Sequence, residues 1–202
     1  MADIGIAELI ERSLTESAEL HLQVARELKS PIAHAAQLVS DAFLSGGKLL
    51  LCGNGGSAAD AQHIAAEFLG RFLVERVGWP AVALDANTSA LTAIGNDYGF
   101  DRVFARQVEA FATEADVLMG ISTSGESRNV EQAIAAARAV GCKTIALVGA
   151  TPGRVGHGAD VVIAVPSVVT PRIQESHIAV AHVICDIVER CLAARTAKEV
   201  GL

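Results

Sequence analysis

The sequence predicts an α/β protein built on a five-stranded parallel sheet in the doubly wound arrangement, with helices on both faces. Five short apolar runs, at residues 49–52, 81–84, 117–121, 144–148 and 161–165, have the composition of strands. They are apolar at successive positions, which is typical of strands buried on both faces. Helical segments separate most of them, as in the βαβ units of a parallel sheet.

The length predicts one domain over residues 1–202, with a helical segment at residues 1–46 and an α/β core at residues 47–202. Hydrophobic residues make up 51% of the chain and charged residues 19%, so the chain can bury a substantial core. The sequence contains no linker, internal repeat or low-complexity tract that would divide this unit.

The N-terminal segment is predicted to form two helices. Apolar residues recur at helical spacing from Ile4 to Leu28, and Pro31 favours the start of a second helix, which Gly46 and Gly47 end. Further helices are predicted near residues 58–72, 102–112 and 130–139, and a long one closes the chain at residues 173–192. The first and last helices carry more apolar residues than one sheet face needs, so we expect them to build an oligomer.

The charge balance argues against a broad nucleic-acid surface, because 23 acidic residues outnumber 16 lysines and arginines and leave a formal net charge of −7. No apolar run approaches the roughly 18 uncharged residues of a membrane span. Asp3 and Glu8 argue against a signal peptide. Four cysteines without a CxxC pair, in apolar stretches, are predicted to be reduced core thiols of a cytoplasmic protein; they are Cys52, Cys142, Cys185 and Cys191.

A glycine turn at residues 53–57, with the sequence GNGGS, follows the first strand and opens a helix. Free N–H groups and the helix dipole make such a junction an anion pocket. Ala58 stands where a dinucleotide fingerprint has its third glycine, and no Gly-Lys-Ser/Thr of a P-loop follows. An ordinary tight turn explains these glycines equally well.

A hydroxyl loop at residues 122–129, with the sequence STSGESRN, follows the third strand and opens another helix. Ser127 or Asn129 would suffice to cap that helix. Four hydroxyls exceed what capping requires, and hydroxyls beside backbone N–H groups bind phosphate oxygens. Both turns leave the carboxyl ends of parallel strands, where open α/β sheets bind their ligands.

Histidines and carboxylates supply a second candidate site. His63 and Glu67 share one face of a helix that is otherwise rich in apolar residues, a spacing that suits a divalent metal, a proton-handling pair or a simple polar pair. In the closing helix Gln174 and His182 lie about 80° apart around the axis with roughly 12 Å of rise between them. His182 has apolar neighbours, so a core histidine is an equal alternative. His21, His34, His157 and His177 are assigned to structural or surface roles.

Three motifs together resemble the sugar isomerase (SIS) domain family, and within it the phosphoheptose isomerases. They are the run from Cys52 to His63 with Glu67 after it, the run from Ser122 to Ser127, and Arg172-Ile173-Gln174-Glu175-Ser176-His177 with His182. The resemblance extends over nearly the whole chain. It implies a flavodoxin-like five-stranded sheet and a homotetramer with active sites between subunits.

The resemblance also implies an activity, the interconversion of D-sedoheptulose 7-phosphate and D-glycero-D-manno-heptose 7-phosphate through an enediol, at the start of ADP-heptose synthesis for lipopolysaccharide core and related glycans. By matching motif, the phosphate would be held by Ser122, Thr123, Ser124 and Ser127. The sugar would contact Asn54, Gly55, Gly56, Asn96, Asp97, Glu67 and Gln174. Zinc would be bound by His63, Glu67, Gln174 and His182. Proton transfer would fall to Glu67 and His182.

Two positions depart from the family pattern: Glu126 stands where relatives often have Asn, and Pro171 stands where some have Asp. Two alternatives stay open. One is a non-catalytic SIS-fold tetramer that binds the bacterial replication initiator protein, and the other is a SIS protein that senses sugar phosphates or acts on amino sugars.

Overall fold

The computed structural model describes residues 5–200, with side chains through residue 193; Asp3 and Ile4 lie outside the described residues. A short 3-10 turn covers Phe100–Arg102. The helices are α1 (Ile6–Glu27), α2 (Lys29–Leu44), α3 (Gly56–Leu69), α4 (Thr88–Tyr98), α5 (Ala105–Phe111), α6 (Arg128–Val140), α7 (Gly153–His157) and α8 (Thr170–Val200). The strands are β1 (Leu49–Gly53), β2 (Ala81–Ala83), β3 (Val117–Ser122), β4 (Lys143–Val148) and β5 (Val161–Ala164).

The five strands form one parallel sheet in the order β2-β1-β3-β4-β5, which confirms the predicted doubly wound fold. The chain reverses its direction of winding between β1 and β3, where Gly53 pairs in register with Ile121. Ligands of such sheets bind outside the carboxyl ends of the strands at this switch point. The glycine turn and the hydroxyl loop both begin there.

Each face of the sheet has its own helical layer, because successive strand residues point to opposite sides. Leu49 and Leu51 join a core with α1, α2, α3 and α8. Leu50 and Cys52 join a second core beneath α5, α6 and α7. Both layers depend on strands that are buried on both faces, as the unbroken apolar runs predict.

The helix boundaries differ from the predicted ones in several places. The second helix begins at Lys29 and not at Pro31, which occupies its first turn. The helix after the glycine turn begins two residues early, at Gly56, and ends at Leu69. The helices α4 and α7 were not predicted, because α4 contains Gly95 and several β-branched residues and α7 has only five residues.

The first turn of α8 is tied to α1 by polar contacts of two residues from the third motif. Arg172 donates to the carbonyl oxygen of Ser13 and to its hydroxyl. The hydroxyl of Ser17 donates to Glu175 Oε2 at 2.7 Å. These two motif residues therefore hold α1 against α8.

Three cysteines match the prediction of buried thiols: Cys52, Cys142 and Cys185 are free and buried, and burial raises the pKa of each thiol. Cys191 is exposed, so the prediction is wrong for this residue. Val188 and Leu192 face the core from α8, and Cys191 lies on the outer side between them. Within residues 5–200, no helix is long and apolar enough to cross a membrane.

His177 joins α8 to the end of β4, in the structural role predicted for it. Its side chain is buried, and Nε2 lies 3.1 Å from the carbonyl oxygen of Val148, to which it donates. Burial lowers the pKa of His177 to about 4, against the partial compensation of that hydrogen bond. The imidazole is therefore neutral in the folded protein at neutral pH.

We expect His177 to make the protein less stable in mild acid. Between pH 6.5 and pH 4, His177 is protonated in the unfolded chain but not in the folded chain. The free energy of unfolding therefore falls as the pH drops from about 6.5 toward 4. At pH 5 this loss amounts to about 2 kcal/mol relative to pH 7.5. Urea unfolding of the parent and of His177→Gln, which keeps a donor for Val148, measures it. Equal losses in the two proteins would contradict this prediction.

Candidate active site

The glycine turn brings backbone close to backbone at the end of β1. A methyl group on Gly53 would lie 2.5 Å from the carbonyl oxygen of Ser57, and Gly55 has a φ of +58°. Both features require glycine. The turn therefore places the N-terminus of the 14-residue helix α3 directly after β1.

Two amides join the glycine turn to the hydroxyl loop. Asn54 Nδ2 donates to Asn129 Oδ1 at 2.9 Å, and Asn129 Nδ2 donates to Asn54 Oδ1 at 2.8 Å. The predicted sugar contact Asn54 thus has its amide paired within the protein. Asn129, which the sequence suggested only as a helix cap, fixes the spacing of the two turns.

Three hydroxyls of the hydroxyl loop lie together. Ser122 Oγ is 2.9 Å from Ser127 Oγ and 3.5 Å from Ser124 Oγ. Ser127 occupies the N-cap position of α6, yet its side chain makes no capping hydrogen bond. The capping explanation therefore fails for Ser127, and its hydroxyl joins the cluster instead. The backbone of the loop is fixed by Gly125, whose carbonyl accepts from Val155 N at 2.9 Å.

The negative charge of Glu126 beside the hydroxyl loop has a partner. Arg154 Nε donates to Glu126 Oε2 at 3.1 Å, and both side chains are about half exposed. An exposed ion pair contributes little stability. It does place a cation beside a carboxylate that would otherwise repel an anion in the loop.

A cluster of His63, Glu67 and His182 forms where α3 packs on α8. His63 Nε2 lies 3.0 Å from Glu67 Oε1 and 3.2 Å from His182 Nε2. His63 is exposed, and Glu67 and His182 are partly exposed, so the alternative that His182 is a buried core histidine is wrong. Ile64 and Phe68 occupy the buried face of α3, and the outward face also carries alanines, which hid the amphipathic pattern.

The cluster fits a metal ion. Its three ligand atoms all lie within 4.8 Å of one another. Two atoms bound to one tetrahedral zinc at 2.0–2.1 Å lie about 3.3 Å apart, and the two separations that involve His63, 3.0 and 3.2 Å, are close to this value. Imidazole nitrogen and carboxylate oxygen are both ordinary zinc ligands. The side chains present therefore suit zinc in spacing and in chemistry.

The remaining predicted site residues lie elsewhere. The amide of Gln174 packs against Gly56 so closely that a methyl group there would lie 2.4 Å from Gln174 Nε2. Gly56 precedes His63 by about two helical turns, or roughly 10 Å. Asn96 Nδ2 donates to Asp97 Oδ1 at 2.8 Å, and among the described residues no hydrogen bond joins this exposed pair to the cluster or to the hydroxyl loop. The roles of all three stay predictions.

Two neighbours of the site were not foreseen from the sequence. The ring of Phe72 stacks on that of His182 with 5.6 Å between ring centroids. Asp85 follows β2 at the carboxyl end of the sheet, and both of its carboxylate oxygens are buried. Burial raises the pKa of Asp85 to about 6, although the side chain of Gln62 and the backbone N–H of Gly53 partly oppose this rise. An aspartate after a short apolar run gives no pattern that would single it out.

Replacing Ser124 by alanine is expected to weaken binding of a sugar phosphate by about 1–3 kcal/mol, the contribution of one charge-assisted hydrogen bond. Ser124 is exposed, so the fold should be unaffected. Calorimetric titration of Ser124→Ala measures the loss, with Ser45→Ala at an exposed helix end as the control. Unchanged affinity in Ser124→Ala would mean that its hydroxyl serves only the turn, where it accepts from Glu126 N at 3.2 Å.

Comparison with known proteins gives a consistent result. Residues 14–149 match the SIS domain family. The chain is similar to a phosphoheptose isomerase of Geobacter sulfurreducens, with 59% identity over 83% of this chain and 88% of that protein. It is also similar to solved phosphoheptose isomerases of Neisseria gonorrhoeae (TM-score 0.87, 44% identity, 92% of this chain and all of that one) and Francisella tularensis (TM-score 0.89, 36% identity, 93% and all).

The family match runs through β1, the glycine turn, the hydroxyl loop and β4, and the two solved structures align with 92% and 93% of this chain. The resemblance carried by the three sequence motifs is thereby confirmed. The chain belongs to the SIS domain family and, within it, to the phosphoheptose isomerases.

Proposed function

We propose that the chain interconverts D-sedoheptulose 7-phosphate and D-glycero-D-manno-heptose 7-phosphate. The observation that carries this proposal is the meeting of Glu67, His63 and His182 where α3 packs on α8, in a chain 59% identical to a phosphoheptose isomerase. An aldose–ketose isomerase needs groups that move protons near a site for a sugar phosphate. The cluster would supply the groups that move protons, and the hydroxyl loop would supply the phosphate site.

The hydroxyl loop would hold the phosphate. The hydroxyls of Ser124 and Ser127 lie within 3.5 Å of Ser122 Oγ. Thr123 lies between Ser122 and Ser124 in the sequence. The N-terminus of the 13-residue helix α6 begins beside them and favours an anion. Binding the remote phosphate fixes the reacting carbons and so supports the chemical step as well as affinity.

Glu67 and His182 would move the protons. The carboxylate removes a proton from C1 of the ketose while the imidazole donates one to the oxygen on C2, which gives the enediol. Return of a proton to C2 and loss of the proton on the C1 oxygen leave the carbonyl at C1. Each positioned acid or base contributes about 100-fold or more to such a reaction.

Zinc would be held by His63, Glu67 and His182. The resemblance implies Gln174 as a fourth ligand, but its amide packs against Gly56, about two turns of α3 from His63, so it would have to move to reach the ion. When bound, the ion supplies positive charge that stabilises the oxygens of the enediol. His63 Nε2 lies within hydrogen-bond distance of both other ligand atoms, so it holds the three side chains together when no ion is bound. Elemental analysis of protein purified without chelator is expected to find about one zinc per chain.

A homotetramer with active sites between subunits is part of the proposal. The exposed apolar residues of α1 support it, as does the absence of hydrogen bonds from Asn96 and Asp97 to the cluster or the hydroxyl loop within the described residues of one chain. The cytoplasmic location expected from the cysteines stays a prediction.

The initiator-binding alternative is not favoured. That relative lacks the acid and the histidine corresponding to Glu67 and His182, and this chain has both within one cluster. Sequence similarity points the same way, since proteins 49–59% identical to this chain are named phosphoheptose isomerases.

The test is incubation of the purified chain with sedoheptulose 7-phosphate in D2O, followed by NMR. We expect the aldose to accumulate with deuterium at C2, since a solvent-exchangeable group returns the proton. Parallel samples with Glu67→Gln should show neither product nor exchange. Binding of the initiator protein without any turnover by the parent would overturn the proposal in favour of the alternative.

A further inference from the structure

A buried carboxylate organises the loop between α3 and β2. Glu189 on α8 is 1% exposed and accepts three backbone N–H groups, from Phe72 at 3.2 Å, Leu73 at 2.8 Å and Val74 at 2.9 Å. Arg76 Nε donates to it at 2.9 Å. Burial alone would raise the pKa of Glu189, and these donors outweigh it and hold the pKa below its ordinary value.

The other side of the Arg76 guanidinium holds the last turn of α3. Nη2 donates to the carbonyl oxygen of Glu67 at 2.8 Å, and Nη1 donates to that of Phe68 at 2.9 Å and to that of Gly70 at 3.0 Å. Carbonyls at the end of a helix lack partners within it. Arg76 thus caps α3 at the residue that carries the carboxylate of the cluster.

The same carboxylate also fixes the aromatic neighbour of His182. Phe72, whose N–H is held by Glu189, stacks its ring on the imidazole with an interplanar angle of 27°. His182 and Glu189 lie seven residues apart on α8, about two turns along one face. The buried ion pair therefore contacts the end of α3 that carries Glu67 and, through Phe72, the ring that stacks on His182.

We infer that the Glu189–Arg76 pair is a positioning device that sets Glu67 and His182 for proton transfer, an inference that rests on the proposed isomerase function. Buried ion pairs add little net stability compared with apolar packing, so stability alone explains this one poorly. The pair instead fixes the orientation of the groups around it. A guanidinium has five N–H groups in a rigid plane, so Arg76 can bind Glu189 and several α3 carbonyls at once, which a lysine cannot do.

The experiment compares Arg76→Lys, Arg76→Met and Phe72→Leu with Lys48→Met. Lys48 is a matched control, because it pairs at 2.7 Å with another buried carboxylate, Asp116, that also accepts backbone N–H groups, at the opposite end of the sheet. Thermal unfolding, kcat, KM and the zinc dissociation constant, from competition with a chelator, are measured for each protein.

We expect kcat to fall about 10- to 100-fold in Arg76→Met and less in Arg76→Lys, with KM within about threefold of the parent and zinc binding weakened about 10- to 100-fold. Phe72→Leu should show the same split if Arg76→Met does not fold. Lys48→Met should lose thermal stability and keep parental kcat. Parental kcat and zinc affinity in Arg76→Lys and Phe72→Leu would overturn the inference. If the proposed function is wrong, the parent protein will show no isomerase activity. The zinc dissociation constants of the variants would then still decide whether the Glu189–Arg76 pair positions the cluster of His63, Glu67 and His182.

Discussion

Glu67→Gln and His182→Ala are each expected to fold as the parent does and to lose at least about 100-fold of the turnover of sedoheptulose 7-phosphate. Glutamine keeps the shape of Glu67 but cannot accept the C1 proton, and alanine removes the imidazole that serves the oxygens. Both side chains are partly exposed, so neither substitution opens a large cavity. Steady-state assays of the aldose product measure the loss.

Controls for these two variants come from exposed residues of the same types. Glu114→Gln lies before β3 at the other end of the sheet, and His34→Ala lies on α2. Both should keep the parental rate. Near-parental turnover in Glu67→Gln and His182→Ala would contradict the assignment of the catalytic residues, whatever the controls do.

The sheet could be predicted from the sequence because its central strands are buried on both faces. The residues of β1 and β3 are all buried, so their apolar runs have no polar interruption and stand out from the helices. α4 escaped prediction for the opposite reason. None of its residues is fully buried, and only Leu91 and Ile94 pack against the core, so its apolar stripe is too short to detect.

Only those parts of the site that depend on residues close together in the sequence could be predicted. The two turns follow strands directly, so their meeting at one edge of the sheet follows from the parallel fold. The Asn54–Asn129 pair joins residues 75 positions apart, and no spacing rule connects them. The same holds for Arg76 and Glu189, which are 113 positions apart and meet only because α8 packs beside α3.

We expect Ile10→Glu to prevent assembly of the homotetramer. Leu20 and Val24 on the second half of α1 are buried against the core, and Ile6 and Ile10 continue that face along the first half. There they are 79% and 55% exposed. Burying each such side chain contributes about 1.5–3 kcal/mol, so an apolar face of this kind favours contact with another chain.

Sedimentation should give the parent a mass near 84 kDa, four times the 20.9 kDa of one chain. A carboxylate at position 10 would have to be desolvated in the contact, so Ile10→Glu should dissociate at micromolar concentration. Thr15→Glu, about 140° around the helix from Ile10, should stay assembled. A parent that sediments as a monomer would contradict the prediction outright.

Turnover in the dissociated variant then decides where the site is completed. Ile10 is exposed in the single chain, so Ile10→Glu leaves the cluster and the hydroxyl loop intact. If Asn96 and Asp97 reach the sugar from a neighbouring subunit, Ile10→Glu should lose turnover together with assembly, and both should return at high protein concentration. A monomer with parental turnover would show that one chain holds every group the reaction needs.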